Sequence, residues 1–210
     1  MGLVNMISFR YYTLMIEKPC NLASRSTADL IYHLVRLASQ TDSGGALTTA
    51  QWSALRYFDR ASYPSRTPSG FAAFNATTRG TASQTIRSLE DLEYIRRSSS
   101  GRDGRSVQFE LTAKGCSILG SDPFSHLEAA LGNLYPDDLE HFAVVLRSLI
   151  GNIASERGQP ELGICNDCEL YRPAGKGRAA YATCLSTGEP LAQEDIGRLC
   201  ARFSRLEGTA

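Results

Sequence analysis

Four cysteines near the end of the 210-residue sequence have the spacing of a metal-binding site. Cys165 and Cys168 are separated by two residues, and intervals of fifteen residues then lead to Cys184 and to Cys200. Two thiolates on one tight turn converge on a single centre, and four thiolates complete a tetrahedral zinc site or hold an iron–sulfur cluster. No histidine follows His141, so the predicted ligand set is all sulfur.

The spacing favours an iron–sulfur cluster over structural Zn²⁺. Zinc ribbons usually contribute two close pairs of cysteines, whereas only the first pair is close here. Arg172, Lys176 and Arg178 lie between the second and third cysteines, where their charge would offset that of a four-thiolate centre. Structural zinc and a thiol switch without metal remain alternatives. Of the other cysteines, Cys116 is predicted to be a core residue, and Cys20 is either a packed residue or a sensing thiol.

The charge of the chain is distributed unevenly. The formal net charge is zero, but residues 56–114 contain ten Lys and Arg against six Asp and Glu, while residues 121–163 contain two against seven. A basic middle and an acidic later segment are typical of a DNA-facing lobe beside a partner-facing one. No apolar run is long enough to span a membrane and the first residues lack the order of a signal peptide, so we expect a cytoplasmic protein.

Helical and strand periodicities outline the elements that would position a DNA-binding surface. The helices predicted from apolar spacing span residues 22–40, 47–60, 71–74, 81–93, 112–133 and 136–155. Strands are predicted at 94–97 and 106–111, joined by the turn-forming segment SSSGRDG. The pairs Thr48 with Gln51 and Thr81 with Gln84 have the capping-box spacing that starts a helix.

Three short helices followed by a basic hairpin form the order of a winged helix-turn-helix. The inward positions predicted for the third of these helices are Ala82, Ile86, Leu89 and Leu92. Ser83, Gln84 and Arg87 then point outward, where side chains of a helix in the major groove reach base edges. Arg102 and Arg105 at the hairpin tip suit the minor groove or the phosphates.

The sequences of these elements resemble the MarR family of transcription regulators. LTTAQWSALRYF at residues 47–58 resembles the helix that precedes the helix-turn-helix of this family. SLEDLEYIRR at 88–97 is similar to the end of its recognition helix and the first wing strand, and GRDGRSVQFELTAKG at 101–115 resembles its wing signature. The resemblance covers about residues 22–155. It departs at Glu93, where the family usually has Gly.

The resemblance implies a DNA-binding site. The residues that it assigns to the major groove are Thr81, Ser83, Gln84 and Arg87. It also implies that Arg105 is the wing arginine and that Asp103 positions it.

The resemblance implies partners as well. Helices near residues 22–40 and after residue 112 would form an intertwined homodimer, which in turn implies a pseudo-palindromic operator in double-stranded DNA. MarR-type proteins also bind small aromatic effectors. Trp52, Tyr57 and Phe58 are candidates for lining such a pocket, although aromatic residues at helical spacing are more often core.

We therefore predict a mainly α fold with a small β-hairpin wing, built as a winged helix-turn-helix with a helical dimerisation region. The predicted domains are an N-terminal segment with a dimerisation helix (1–46), the winged helix-turn-helix (47–115), further dimerisation helices (116–156) and a cysteine-rich extension (157–210). The predicted function is a repressor, not an enzyme, whose DNA affinity is modulated by the iron–sulfur cluster. Two alternatives stay open: a MarR-type regulator with structural zinc and a small organic ligand, and a metal-binding redox protein that does not bind DNA.

Overall fold

The computed structural model describes residues 22–40, 45, 47–98, 107–175 and 182–206. The chain divides into two compact units, residues 1–40 and 41–210. Within the described residues, helices dominate and the strands are short and antiparallel, so the predicted mainly α fold with a small hairpin is confirmed. No helix in the described ranges has the length and apolar character needed to cross a membrane.

In the first unit, helix α1 spans Leu22–Ala38, two residues shorter than predicted. Its apolar side chains recur at helical spacing, as predicted, but they are largely exposed. Leu30 is 66% exposed and Leu37 is 56% exposed. Within the described residues, this stripe is largely open to solvent.

The second unit contains the remaining described elements. Its helices are α2 (Thr49–Arg60), α3 (Pro68–Phe74), α4 (Arg79–Asp91), α5 (Ala113–Leu119), α6 (Ser125–Gly132) and α7 (Pro136–Arg157). Its strands are β1 (Ile95–Arg97), β2 (Phe109–Leu111), β3 (Tyr171–Arg172), β4 (Thr183–Cys184) and β5 (Glu189–Pro190). β1 pairs with β2, and β3, β4 and β5 form a second sheet in that order.

The main core lies where α2, α3, α4 and the β1–β2 hairpin meet. Tyr57, Phe58 and Phe71 are buried there with their ring centroids about 5 to 6 Å apart, and Phe109 of β2 stacks against Phe58 at 5.7 Å. Large aromatic rings supply most of the apolar area that a small helical lobe can remove from water. This core holds α4 against the hairpin.

Side-chain caps define where two of these helices begin. The capping box predicted for α2 is confirmed, because Thr48 Oγ1 accepts from the Gln51 amide and Gln51 Oε1 accepts from the Thr48 amide at 2.8 Å. For α4 the predicted start at Thr81 is wrong. Thr78 caps this helix by accepting from the Thr81 amide at 3.1 Å, so α4 begins at Arg79.

Three further predictions are corrected by the structure. Cys116, predicted to be a core residue, is exposed on α5. The helix predicted over residues 112–133 is two helices, α5 and α6, because the chain turns between Gly120 and Phe124 around Pro123. Leu92, predicted to face inward, is 40% exposed because α4 has already ended at Asp91.

The cysteine module, residues 163–175 and 182–206, has its own small core. Cys165, Ala182 and Ile196 are buried together, with Tyr171 and Leu191 packed against them. Short pairings hold the module together: Gly163 bridges Cys200, and β3, β4 and β5 form the small sheet. A module with so little apolar core is typical of sites that depend on a metal or cross-link.

Candidate functional site

One face of α4 is buried and the opposite face is exposed. Ala82, Ile86 and Leu89 are at most 2% exposed and pack into the main core, as predicted. The exposed residues of the predicted DNA-contact set on this helix are Thr81, Ser83, Gln84 and Arg87. The helix therefore presents to solvent the side chains that the sequence assigned to the major groove.

The start of α4 adds two residues that the sequence analysis missed. Thr78 is the N-cap and Arg79 is the first helical residue, and both are exposed. The signal that could have found them is the Thr-x-x-Thr spacing of Thr78 and Thr81, since a threonine that precedes a helix caps it through the amide three residues on. Arg79 places a cation beside the predicted base-reading face.

The base of the wing is a regular hairpin. Ile95 pairs with Leu111 and Arg97 pairs with Phe109. Arg96 Nε donates to Glu110 at 2.8 Å, and Arg97 Nε donates to Glu90 of α4 at 3.1 Å. The three residues predicted at the wing tip, which are Arg102, Asp103 and Arg105, lie outside the described residues, as does Cys20.

The turn at the end of α4 contains Glu93, where the sequence departs from the MarR pattern. Glu93 has φ +60°, the Tyr94 amide donates to the Leu89 carbonyl at 2.9 Å, and the Glu93 amide donates to the Glu90 carbonyl at 2.8 Å. These bonds form a Schellman motif, in which the left-handed position normally favours Gly. A glutamate thus stands where the family usually has Gly, and the backbone keeps the left-handed conformation.

The Leu-Thr-x-x-Gly part of the signature locks the next helix to this turn. Thr112 Oγ1 donates to the Glu93 carbonyl at 2.7 Å and accepts from the Gly115 amide at 3.1 Å, which caps α5. A Cβ at Gly115 would overlap the Tyr94 carbonyl oxygen. The signature therefore serves the packing of α5 against the end of the recognition helix.

The four cysteines of the C-terminal pattern belong to one module and are free thiols in the described structure. Cys165 and Cys168 flank a single 3₁₀ turn, and the Cys168 amide donates to the Cys165 carbonyl at 3.0 Å. The Cys165 amide donates to Ile196, and the Cys200 amide donates to Gly163 at 2.8 Å.

The thiols are close enough to influence one another. Burial, together with the negative charges of Cys200, Cys168, Cys184 and Asp195, raises the pKa of Cys165 to about 11. The Cys165 thiol therefore lies within electrostatic range of the other three cysteines. Among the described residues, however, no three His, Cys, Asp or Glu side chains are arranged so that they could hold a metal ion.

The cysteine module docks on the segment between α2 and α3, which we name the connecting segment (residues 61–66). Leu199 forms a parallel bridge with Ala61, and the Ser62 amide donates to the Leu199 carbonyl at 2.8 Å. The Tyr63 amide donates to Asp195 Oδ1 at 2.8 Å. The contact places the residues around Cys200 directly against the DNA-binding lobe.

The same module also packs on the end of α7. Arg205 Nε donates to Glu161 Oε2 at 2.9 Å, and its Nη2 donates to the carbonyl of Arg147 at 2.9 Å. A Cβ at Gly151 would lie only 2.7 Å from Arg205 Nη2, so the glycine allows the guanidinium to approach the helix.

The aromatic residues considered for an effector pocket are core residues. Trp52, Tyr57 and Phe58 are at most 5% exposed and belong to the main hydrophobic cluster. A cavity of about 200 Å³ lies elsewhere in the second unit, and its lining is polar and charged. The residues around it are Arg56, Asp59, Arg60, Leu119, Asp122, Ser125 and Glu128.

Three helices and a two-stranded hairpin in this order define a winged helix-turn-helix domain. Residues 47–106 match the model of the MarR family. The structure is similar to Staphylococcus aureus MepR in its DNA-binding conformation, with a TM-score of 0.51 and 21% identity over 62% of this chain and 98% of that chain. The family match covers residues 47–106, and the structural likeness confirms the predicted winged helix-turn-helix fold.

Other solved structures resemble parts of the chain. A Staphylococcus aureus MepR–DNA complex has a TM-score of 0.48 and 21% identity over 62% of this chain and 97% of that one. The Mycobacterium tuberculosis MarR family protein Rv2887 in complex with salicylic acid has a TM-score of 0.42 and 24% identity over 57% of this chain and 93% of that one. No curated protein matches the chain.

Proposed function

We propose that this protein is a sequence-specific transcription regulator that inserts the exposed face of α4 into the major groove. The observation that carries this proposal is the one-sided burial of α4 within a MarR-family winged helix. On the exposed face, Gln84 suits bidentate bonds to adenine and Arg87 suits bidentate bonds to guanine. Thr81 and Ser83 supply the remaining polar contacts.

We propose that the wing contacts the DNA backbone or its minor groove. Arg102 and Arg105 would contact phosphates or the minor groove, with Asp103 positioning Arg105, because charge alone suffices for such contacts. The described base of the hairpin supports this proposal, since the strand that follows α4 carries two exposed arginines, Arg96 and Arg97. We further propose that the protein acts as a repressor in the cytoplasm.

The experiment is a gel-shift titration of the full chain against its own promoter at several salt concentrations. Arg87→Ala should weaken binding to the specific site by about 1–3 kcal/mol, roughly five- to 150-fold. Arg157→Ala, at an exposed arginine that ends α7, is the matched control and should bind as the wild type does. If no salt-dependent shift appears, or if Arg87→Ala and Arg157→Ala bind DNA equally, the alternative of a redox interaction protein that does not recognise DNA is favoured.

We propose a homodimer and a pseudo-palindromic operator. The supporting observation is the set of exposed apolar side chains on α7, with Val145 at 42% and Ile150 at 55%. A similar stripe runs along α1. Burying such a stripe against a second copy removes apolar area from water and fixes two recognition helices one helical turn of DNA apart. Sedimentation should give twice the chain mass of 22.9 kDa, and a monomeric mass would contradict this part.

We propose that the cysteine module holds an iron–sulfur cluster, with Cys165, Cys168, Cys184 and Cys200 as ligands. The proposal rests on the donor set, because four free thiols belong to one module and Arg172 of β3 adds positive charge to that module. The bound cluster would supply a redox-sensitive centre. Binding requires the thiols to lose their protons and to move into ligating positions.

Anaerobic purification followed by a visible spectrum and by iron, sulfide and zinc analysis tests this proposal. A brown protein with iron and sulfide is expected, and Cys184→Ser should abolish the colour while Cys116→Ser, at an exposed cysteine outside the module, should retain it. A colourless protein with one zinc per chain would instead support the structural-zinc alternative, in which a small aromatic effector supplies the signal.

A further inference from the structure

The connecting segment, residues 61–66, is shared by the cysteine module and the wing. We propose that this segment couples the two, so that a loss of order in the cysteine module reaches the wing and changes how it is held. The inference rests on the proposed function, because it names the route by which the cysteine site regulates the DNA-binding lobe.

On the module side, the contacts are made by residues that flank the cysteines. Leu199 and Ala201 stand on either side of Cys200. The Leu199 amide donates to the Arg60 carbonyl at 2.9 Å, and the Ala201 amide donates to Ser65 Oγ at 3.0 Å. A shift of the Cys200 backbone therefore disturbs two hydrogen bonds to the winged helix-turn-helix, those that the Leu199 and Ala201 amides donate.

A second attachment lies next to Cys165. The Cys165 amide donates to the carbonyl of Ile196. Asp195, which directly precedes Ile196, accepts from the Tyr63 amide through its side chain. Asp195 is 8% exposed, and its bond to the Tyr63 amide is partly buried. A buried acceptor that loses its partner costs more than a typical surface contact, which makes the docking stiff.

On the wing side, the same few residues bond the two hairpin strands. The Phe109 amide of β2 donates to the Arg66 carbonyl at 2.8 Å, and Gln108 Nε2 donates to the Tyr63 carbonyl at 3.2 Å. Tyr63 Oη lies 3.2 Å from Ser98 Oγ, at the end of β1. Tyr63 thus contacts the module through its amide and both wing strands through its carbonyl and hydroxyl.

The connecting segment is braced internally, so it moves as one piece. Ser62 and Ser65 are at most 4% exposed, and their hydroxyls bond each other at 2.9 Å. Tyr57 Oη donates to the Ser65 carbonyl at 2.5 Å, and Arg66 Nε donates to the Ala61 carbonyl at 3.0 Å. Packed interiors transmit displacement because they have little room to absorb it.

The experiment measures amide hydrogen exchange in the full chain as purified, without DNA. Asp195→Ala removes one attachment, and Glu194→Ala, which removes a neighbouring exposed carboxylate, is its matched control. We expect exchange of the Tyr63 amide and of the Phe109 amide to accelerate by about tenfold in Asp195→Ala, because a hydrogen bond to a charged acceptor is lost. Glu194→Ala should exchange as the wild type does.

A second pair of variants disturbs the module from within. A Cβ at Gly163 would lie 2.6 Å from the Phe203 ring, whereas a Cβ at Gly197 meets nothing within 4 Å. Gly163→Ala should accelerate exchange of the Phe109 amide, whereas Gly197→Ala should not. If one variant of either pair fails to fold, the other pair decides.

Two results would overturn the inference. Faster exchange at Ser62 and Tyr63 with an unchanged Phe109 amide would mean that the segment loosens without the wing. Equal acceleration of the Ile86 amide within α4 would mean general destabilisation. Because the measurement uses the purified chain with the metal that it holds and uses no DNA, zinc in place of a cluster, or a lack of operator affinity, would contradict the proposed function and leave this test valid.

Discussion

Ser65 and Ala201, 136 residues apart in the sequence, are joined by a hydrogen bond of 3.0 Å from the Ala201 amide to the Ser65 hydroxyl. Ser65 lies in the 3₁₀ turn just before α3, and Ala201 directly follows Cys200. Ser65 is 2% exposed, so the bond is buried within the second unit. The winged helix and the cysteine module therefore share an interior, and substitutions at their contact report on both.

Gly70 of α3 should not tolerate a side chain. A Cβ there would overlap Tyr57 Oη and the Ser65 carbonyl oxygen and would approach Ala201 Cβ to 3.3 Å. Gly70→Ala should lower the free energy of unfolding by about 1–3 kcal/mol through overpacking. Urea denaturation measures the change.

Gly80→Ala is the matched control for that prediction. The nearest atom to a Cβ at Gly80 is Thr78 Oγ1 at 3.8 Å, and the residue is exposed in α4. This variant should gain about 0.5–1 kcal/mol because alanine favours the helix. Equal effects of the two substitutions would contradict the close packing at Gly70.

Glu93→Gly should stabilise the protein by about 0.5–1 kcal/mol, because Glu93 occupies a left-handed conformation at φ +60° that costs a residue with a Cβ. Ala76 ends α3 at φ +46°, and Ala76→Gly should act in the same direction. Gly158 ends α7 at φ +58°, so Gly158→Ala should destabilise. Thermal unfolding of the three variants gives the signs, and a stabilising Gly158→Ala would refute the conformational argument.

Asp122→Ala should be strongly destabilising. Asp122 accepts from Arg56 at 2.5 Å, their side chains are 9% and 12% exposed, and Arg56 also lies 4.0 Å from the centre of the Phe124 ring. Burial lowers the pKa of Arg56, which the charge of Asp122 opposes. Removing the carboxylate leaves an unpaired buried cation, at a cost of about 3–5 kcal/mol.

The exposed pair of Arg96 and Glu110 is the comparison for that prediction. The Arg96 side chain is 68% exposed, so the pair is screened by water. Glu110→Ala should change the free energy of unfolding by less than about 1 kcal/mol. Losses of similar size at Asp122 and Glu110 would mean that burial does not strengthen the first pair.

The metal-free protein should lose stability in alkaline solution because of Cys165. Burial and the neighbouring thiols raise the pKa of Cys165 from 9.0 to about 11. The folded state therefore keeps a proton that the unfolded state releases, so this contribution is complete below pH 9 and is lost as the pH rises to about 11. Its size is roughly 2–3 kcal/mol.

Chelated protein unfolded by urea between pH 8 and pH 11 tests this contribution. Other groups titrate in the same window, so the informative quantity is the difference from Cys165→Ala, in which the pH dependence should be smaller. Cys116→Ala, at an exposed cysteine, should retain the dependence of the wild type. Identical slopes for all three proteins would contradict the raised pKa of Cys165.

Local patterns accounted for most of the winged helix. The period of Ala82, Ile86 and Leu89 predicted the buried face of α4, and the spacing of Thr48 and Gln51 predicted the start of α2, because both depend only on residues within one or two turns of helix. The start of α4 at Arg79 was missed, since two threonines three residues apart offered competing caps. The break between α5 and α6 was missed because the apolar period continues across Pro123.

By itself, the sequence determined the winged helix-turn-helix fold and predicted where a DNA-contact face and a cysteine site would lie, because helical period, capping and cysteine spacing are local properties of the chain. Only the tertiary structure decided that the segment around Cys200 docks on residues 61–66 and that this segment also bonds the wing. The contacts of Asp195 with Tyr63 and of Ala201 with Ser65 join residues more than 130 positions apart. No local pattern specifies such a pairing, because it depends on how the whole second unit packs.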